Sequence, residues 1–272
     1  MLNVRNVSIF AVLLLVCAVA TAQADQFMTD PNATGDVAVS DLPDPLAPQT
    51  ITQSTDPDTI AAGSGVACSD GVYTTENSWL RLFDLDGDHG LAGTFTAESV
   101  DWGMETLTGD LPVDVNIYCL DDGLPFLYSF MTMVGTGTTN ATTGDLVFYN
   151  TAVSGGCDTS TQRMAVELFG DDCEILGTCT LYWIGANGLG QSAPTYIASA
   201  SCGILDPTDL AAIGFPNSHL VMKVNGQDQG TGDDGGGSGD DGGGSVPATT
   251  GVGLMLLVLA LGGGSAYFLR RK

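Results

Sequence analysis

Alternation with period two runs through the middle of this chain, and no stretch there carries the period of a capped amphipathic helix. Val113, Val115, Ile117 and Cys119 alternate with Asp114, Asn116 and Tyr118. Met164, Val166 and Leu168 alternate with Arg163 and Glu167, and Leu220, Met222 and Val224 with Val221 and Lys223. Successive strand side chains leave by opposite faces, so such segments set one face on a core and the other toward water. Further strands are expected over 80–84, 93–102, 128–135, 145–153, 180–185 and 195–201. The clusters Thr108-Gly109-Asp110, Asp121-Asp122-Gly123 and Thr143-Gly144-Asp145 are read as turns between strands. The pattern predicts an all-β fold: a single jelly-roll-like β-sandwich of roughly eight to ten strands over residues 49–226.

The flanks read differently. Arg5, an apolar run from Val7 to Ala20 and then Ala22-Gln23-Ala24 are the parts of a secretory signal peptide over residues 1–24, cut before Asp25. Residues 25–48, rich in Pro, Asp, Ala and Thr, are expected to form a flexible lead-in. Residues 227–245 are expected to form a Gly/Asp/Ser linker, in which Gly-Asp-Asp-Gly-Gly-Gly-Ser occurs twice, at 232–238 and 239–245. Glycine loosens such a segment and the aspartate pairs extend it by repulsion; stretched, it reaches roughly 65 Å at ~3.4 Å per residue. Its expected role is a stalk.

Residues 251–269 carry no charge. As a transmembrane helix they would span ~28 Å, close to the ~30 Å of a hydrocarbon core. Arg270, Arg271 and Lys272 form a basic stop that stays cytoplasmic, leaving the body outside the inner membrane as a single-pass protein. A plain stop-transfer helix is physically sufficient. Val246-Pro247, Thr250 and Gly253, followed by the apolar run and Arg270-Arg271, also resemble the IPTL-CTERM class of bacterial C-terminal sorting signals. That resemblance implies two partners, the membrane and then a dedicated sorting protease that cuts the tail. The Trp common before the glycine is Val252 here. Val-Pro-Ala-Thr-Thr-Gly also stands one swap and one inserted Thr from the sortase signal Leu-Pro-x-Thr-Gly.

All 32 acidic residues lie at or after Asp25, and only Arg81, Arg163 and Lys223 oppose them before the basic stop, a formal charge of −29. Such a field repels phosphate backbones, so nucleic acid is excluded as a partner; solubility is the plainer meaning of the charge. Cys17 leaves with the signal peptide. Cys68, Cys119, Cys157, Cys173, Cys179 and Cys202 remain, an even number in an exported chain, and fifteen pairings are open to them. Cys68 with Cys202, bracketing the core, and Cys173 with Cys179, a small local loop, are favoured.

Two stretches are similar to an ancillary domain that recurs in exported bacterial proteins, either appended to secreted peptidases or carried alone before a sorting tail. They are Glu76-Asn-Ser-Trp-Leu-Arg-Leu-Phe-Asp84 and Ile184-Gly-Ala-Asn-Gly-Leu-Gly-Gln-Ser-Ala-Pro-Thr-Tyr196, followed by Cys202-Gly203 and Ile213-Gly-Phe-Pro-Asn-Ser-His219. The likeness spans roughly residues 50–226. It implies an all-β accessory domain and brings no activity with it.

Few residues read as chemistry. Asp84, Asp86 and Asp88 around Gly87 look like the first half of a calcium loop and are candidate Ca2+ ligands, although the distal Glu of such a loop is replaced by Phe95. An inter-strand turn is the plainer reading. Asp121-Asp122 and Asp171-Asp172 are read as solvated loop tips, since acid/base catalysis needs two carboxylates held in one cleft. His89 and His219 lack a recognisable nucleophile elbow around Ser78, Ser192 or Ser201. Trp79, Trp102, Tyr182, Trp183 and Tyr196 could stack on sugar rings but are expected mainly in the core, with adjacent Tyr182 and Trp183 facing opposite ways. Asn187-Gly-Leu-Gly190 is read as a hairpin or bulge, and the sequons at Asn32 and Asn140 carry little weight. No cofactor beyond calcium is expected. The reading is a non-catalytic surface or envelope protein for adhesion or binding, with a glycan or other surface ligand as partner. The rivals are a secreted hydrolase and a structural envelope coat.

Overall fold

The computed structural model describes residues 25–31, 37–39 and 49–229. The chain divides into two compact units, Met1–Asp233 and Asp234–Lys272, and every described residue belongs to the first. The signal peptide, most of the linker, the expected helix over 251–269 and the sorting residues Val246 to Arg271 lie outside the described residues. Among the described residues no helix is long and apolar enough to cross a membrane.

Among the described residues fifteen strands follow one another: β1 Gln26–Thr29, β2 Val37–Val39, β3 Gln49–Ile51, β4 Thr59–Ala61, β5 Val66–Ser69, β6 Asn77–Phe83, β7 Thr94–Asp121, β8 Thr132–Asp158, β9 Gln162–Gly170, β10 Cys179–Ile184, β11 Ala186–Asn187, β12 Tyr196–Ser199, β13 Ile204–Asp209, β14 His219–Leu220 and β15 Met222–Asp228. One helical turn, α1 Cys173–Leu176, and two 3-10 turns complete the elements. The architecture is all-β, with stacked antiparallel sheets.

Its organising piece is the hairpin of β7 and β8, of 28 and 27 residues. Strands that long exceed the usual 3–10 residues and must bend. Along one side β7 keeps β8 as neighbour; along the other it meets β15 over 95–102, β10 over 104–109 and β9 over 113–121. The first part of β7 therefore lies in a layer with β15 and β3. The last part continues through β9, β6 and β12 to β13. The inward faces of both layers, among them Val100, Trp102, Val224, Val115, Val166 and Trp79, make one core.

Three disulfides lock this arrangement: Cys68–Cys202, Cys119–Cys157 and Cys173–Cys179. In the ladder Cys119 stands opposite Thr132 while Cys157 stands opposite Phe95. The bond between them therefore ties the two far ends of the hairpin together.

The strand boundaries differ from expectation where local chemistry and packing compete. Thr108-Gly109-Asp110 and Thr143-Gly144-Asp145 do not end strands; they lie inside β7 and β8. The ladder shifts register between Leu107 and Asp110, and Gly109 takes φ 103 there, so a turn-forming residue serves as a bulge that bends the hairpin. Tyr128–Phe130 is a 3-10 turn rather than the start of a strand. The expected lead-in contributes β1, paired with β5, and β2, paired with β4. The expected linker begins later than residue 227, because Gln227 and Asp228 still pair in β15.

Candidate ligand-binding cleft

The acidic loop is a set of nested turns. Asp84 Oδ1 accepts the Gly87 N–H at 2.8 Å, the Asp84 carbonyl accepts from Asp88, and that of Asp86 accepts from Gly90. Leu85 and Leu91 on either side are buried and fasten the loop to the core. Asp84, Asp86 and Asp88 are exposed. Among the described residues no group of three His, Cys, Asp or Glu side chains stands close enough to hold a metal. His89 packs its ring 5.7 Å from that of Phe83, and burial lowers its pKa although Asp88 and Asp84 pull the other way.

The aromatic side chains go mostly to the core. Trp79, Trp102, Tyr182 and Trp183 are all buried, each with its polar atom satisfied inside. Trp79 donates to Val66 O, Trp102 to Thr151 Oγ1, and Tyr182 to the carbonyls of Thr75 and Gly170. The expectation that Tyr182 and Trp183 face a core and a solvent side fails, because β1 covers the second face and Trp183 donates to Met28 O. Only Tyr196 stays half-buried, edge-on to Phe126 at 4.8 Å.

The acidic pairs are not brought together. Asp172 caps α1 by accepting from Glu174 and Ile175, and Asp122 lies 3.7 Å from Arg163. Glu167, which alternation marked only as a solvent-facing strand residue, is the best-satisfied carboxylate of the fold. It is buried, with Oε2 accepting from Asn116 and Tyr118 and Oε1 from Tyr128. Burial, reinforced by the Glu167 charge, pushes both phenols well above the usual tyrosine range. All donors are spent on one carboxylate, so this cluster is a fastening rather than an opening.

An open recess lies elsewhere, between the turn after β4 and the turn before β14. The cleft measures about 220 Å³ and is lined among others by Thr29, Ser64, Val66, Phe215, Asn217 and Ser218. Phe215 rests on the core while Pro216 and Asn217 are exposed. Both turns are held from behind. Glu105 of β7, 1% exposed, accepts the N–H of Gly63 at 2.7 Å on Oε1 and of Gly65 at 2.5 Å on Oε2. A Cβ on residue 65 would lie 2.8 Å from Glu105 Oε2 and 2.6 Å from Ile184 O, so only glycine admits this carboxylate. Burial raises the Glu105 pKa, the Gly65 and Gly63 hydrogen bonds oppose the rise, and Asp30 adds to it.

His219 fixes the other turn. Its Nδ1 accepts from the Gly190 N–H at 2.9 Å, which leaves the proton on Nε2 to donate to Pro216 O at 3.1 Å. Both ring nitrogens are thus occupied by backbone. Asn187, at the start of the expected hairpin or bulge, donates from a buried side chain to the carbonyls of Asp56 and Thr59. The cleft combines hydroxyls, an amide and one aromatic residue on rigid walls, and among the described residues no lining side chain is charged. Such groups position a ligand by hydrogen bonding and contact. The sequence carried a weak signal for it: Gly214 to Ser218 combines a breaker, a proline, an aromatic residue and an amide in one short turn.

No family model matches the chain, and no curated protein matches it. Two solved structures show a distant likeness. One, the cysteine protease and lectin-like domains of Cwp84, a surface layer associated protein of Clostridium difficile, is 15% identical with TM-score 0.40, over 64% of this chain and 39% of that one. The other, clostridial Cwp84 after propeptide cleavage, is 15% identical with TM-score 0.39, over 62% and 43%. The chain spans less than half the length of either, and likeness at this level carries no argument about activity.

Proposed function

We propose that this chain is an exported, envelope- or surface-associated protein whose jelly-roll-like sandwich is a non-catalytic binding module. The observation that carries the reading is the cleft between residues 63–66 and 214–218: an open, uncharged recess whose walls are immobilised by Glu105 and His219. Pre-fixed walls reduce the ordering cost of binding, which suits recognition. Three closed disulfides support an oxidising compartment, in keeping with a signal peptide over residues 1–24. On this reading the Gly/Asp repeats hold the module away from the membrane. The tail from Val246 to Lys272 anchors it until a sorting protease acts.

Two measurements test the proposal. Intact mass of the protein from its native cells should give Asp25 as the first residue and an end near 246–250; a chain that keeps Lys272 would be a plain anchored ectodomain. The same protein should bind envelope material saturably, and Asn217→Ala should weaken that binding. Turnover of esterase, glycosidase or peptidase substrates would replace the binding reading with an enzymatic one.

A further inference from the structure

We propose that the cleft between residues 63–66 and 214–218 takes one uncharged sugar ring, the terminal unit of a glycan, bound end-on. This rests on the reading of the domain as a binding module. The size sets the first limit: about 220 Å³ lies below the ~300–1,000 Å³ of sites that enclose drug-sized ligands. It has room for one ring within its walls.

The lining sets the chemistry. Ser64, Thr29 and Ser218 supply hydroxyls, and the exposed Asn217 amide can donate and accept at once, as a pair of neighbouring sugar hydroxyls requires. Phe215 and Pro216 supply apolar surface for the C–H face of the ring. A wholly apolar ligand would strand the hydroxyls without partners, at about 1–3 kcal/mol for each one buried.

Charge excludes the remaining classes. Behind the wall lies buried Glu105, with Asp30 close enough to raise its pKa, and the domain as a whole is strongly acidic. Uronates, sialic acids, sulfated sugars and phosphates would enter against that field. A cation finds no carboxylate among the described lining residues, and both Glu105 oxygens already accept backbone N–H bonds.

The test uses the full-length protein in detergent on an array of glycans that differ in terminal residue, length and charge, with free monosaccharides as competitors. Binding is expected only to glycans sharing one neutral terminal residue, competed by that monosaccharide, and unchanged as the chain behind it lengthens. Asn217→Ala, at an exposed position, should weaken it about 10-fold, the loss of one or two hydrogen bonds, with the melting temperature unchanged. Affinity that rises with chain length, preference for anionic glycans, or indifference to both Asn217→Ala and Ser64→Ala would overturn the proposal. Binding to envelope material with none to any glycan would sink the ligand class and leave the binding module standing. Loss of binding to both would sink the parent reading.

Discussion

The hydroxyl of Tyr128 donates to Oε1 of Glu167 across 2.6 Å, joining the loop between β7 and β8 to a strand that lies beneath it. The loop is held at further points: Phe126 meets Tyr196, the Tyr128 N–H reaches Asp206, and Arg163 donates to Leu124 O. Ten residues that could drift in solvent are thereby laid across the outer face of β9.

Tyr128→Phe should therefore destabilise the domain by about 1–3 kcal/mol, because a buried carboxylate oxygen loses its hydroxyl donor. Chemical denaturation measures the loss. Hydrogen exchange should quicken over 122–131 and stay unchanged in β15; a uniform change would mean that the loop is not held this way.

Glu105 predicts a pH dependence. Its folded pKa lies above the ordinary 4.5, so just above that value the folded state binds more protons than the unfolded one. Stability contributed through this group is then lost as pH rises through the folded pKa. Glu105→Gln should flatten the fall of melting temperature with pH in that window. A wild-type curve already flat there would show the carboxyl to be unperturbed.

The disulfides should contribute unequally. Chain entropy assigns about 5 kcal/mol to Cys68–Cys202, with a separation of 134, and about 2 kcal/mol to Cys173–Cys179, with a separation of 6. Paired Cys→Ser variants compared by denaturation should keep that order, with Cys119–Cys157 between them.

Asp84 should behave as a turn cap. Asp84→Ala is expected to lower stability by about 1 kcal/mol through the lost bond to Gly87, and added calcium to leave the wild-type melting temperature unchanged. A calcium-dependent rise abolished in Asp84→Ala would restore the metal reading of this loop.

Arg81 is buried with no carboxylate partner among the described residues; its guanidinium donates to Gln191, Ala193 O, Ser54 and Leu220 O, and burial pushes its pKa down to about 9. Arg81→Lys should cost about 3 kcal/mol or more despite keeping the charge, because an ammonium cannot reach acceptors spread over three segments. Thermal unfolding resolves this easily: ~2–4 °C accompany each kcal/mol in a domain of this size.

Strand character was legible from alternation at Val113–Cys119 and Met164–Leu168, although the second face is covered there too, with Asn116, Ala165 and Glu167 buried. At 180–185 the strand was legible but its facing was not: Tyr182 and Trp183 are both inside because β1, from a segment whose composition reads as unstructured, covers the second face. Gly109 misled for a related reason, since a residue suited to a turn is equally suited to a bulge, and only the partner strand decides. Glu105 and Glu167 occupy ordinary polar positions in alternating strands. Nothing local marks them, because their donors come from Gly63 and Gly65 in one case and from Asn116, Tyr118 and Tyr128 in the other.

The placement of β15 has a mechanical meaning. The turn at 214–218 lies only a few residues before this strand, and in the proposed reading the chain after Asp228 serves as a stalk. Tension between a ligand in the cleft and an anchor at the membrane would run along Phe215 to Asp228, loading β15 lengthwise against β7 and β3. Hydrogen bonds loaded in that direction share the pull across the ladder instead of parting one after another. On that reading the pull passes from β15 into β7, and the Cys119–Cys157 bond ties this loaded strand to β8.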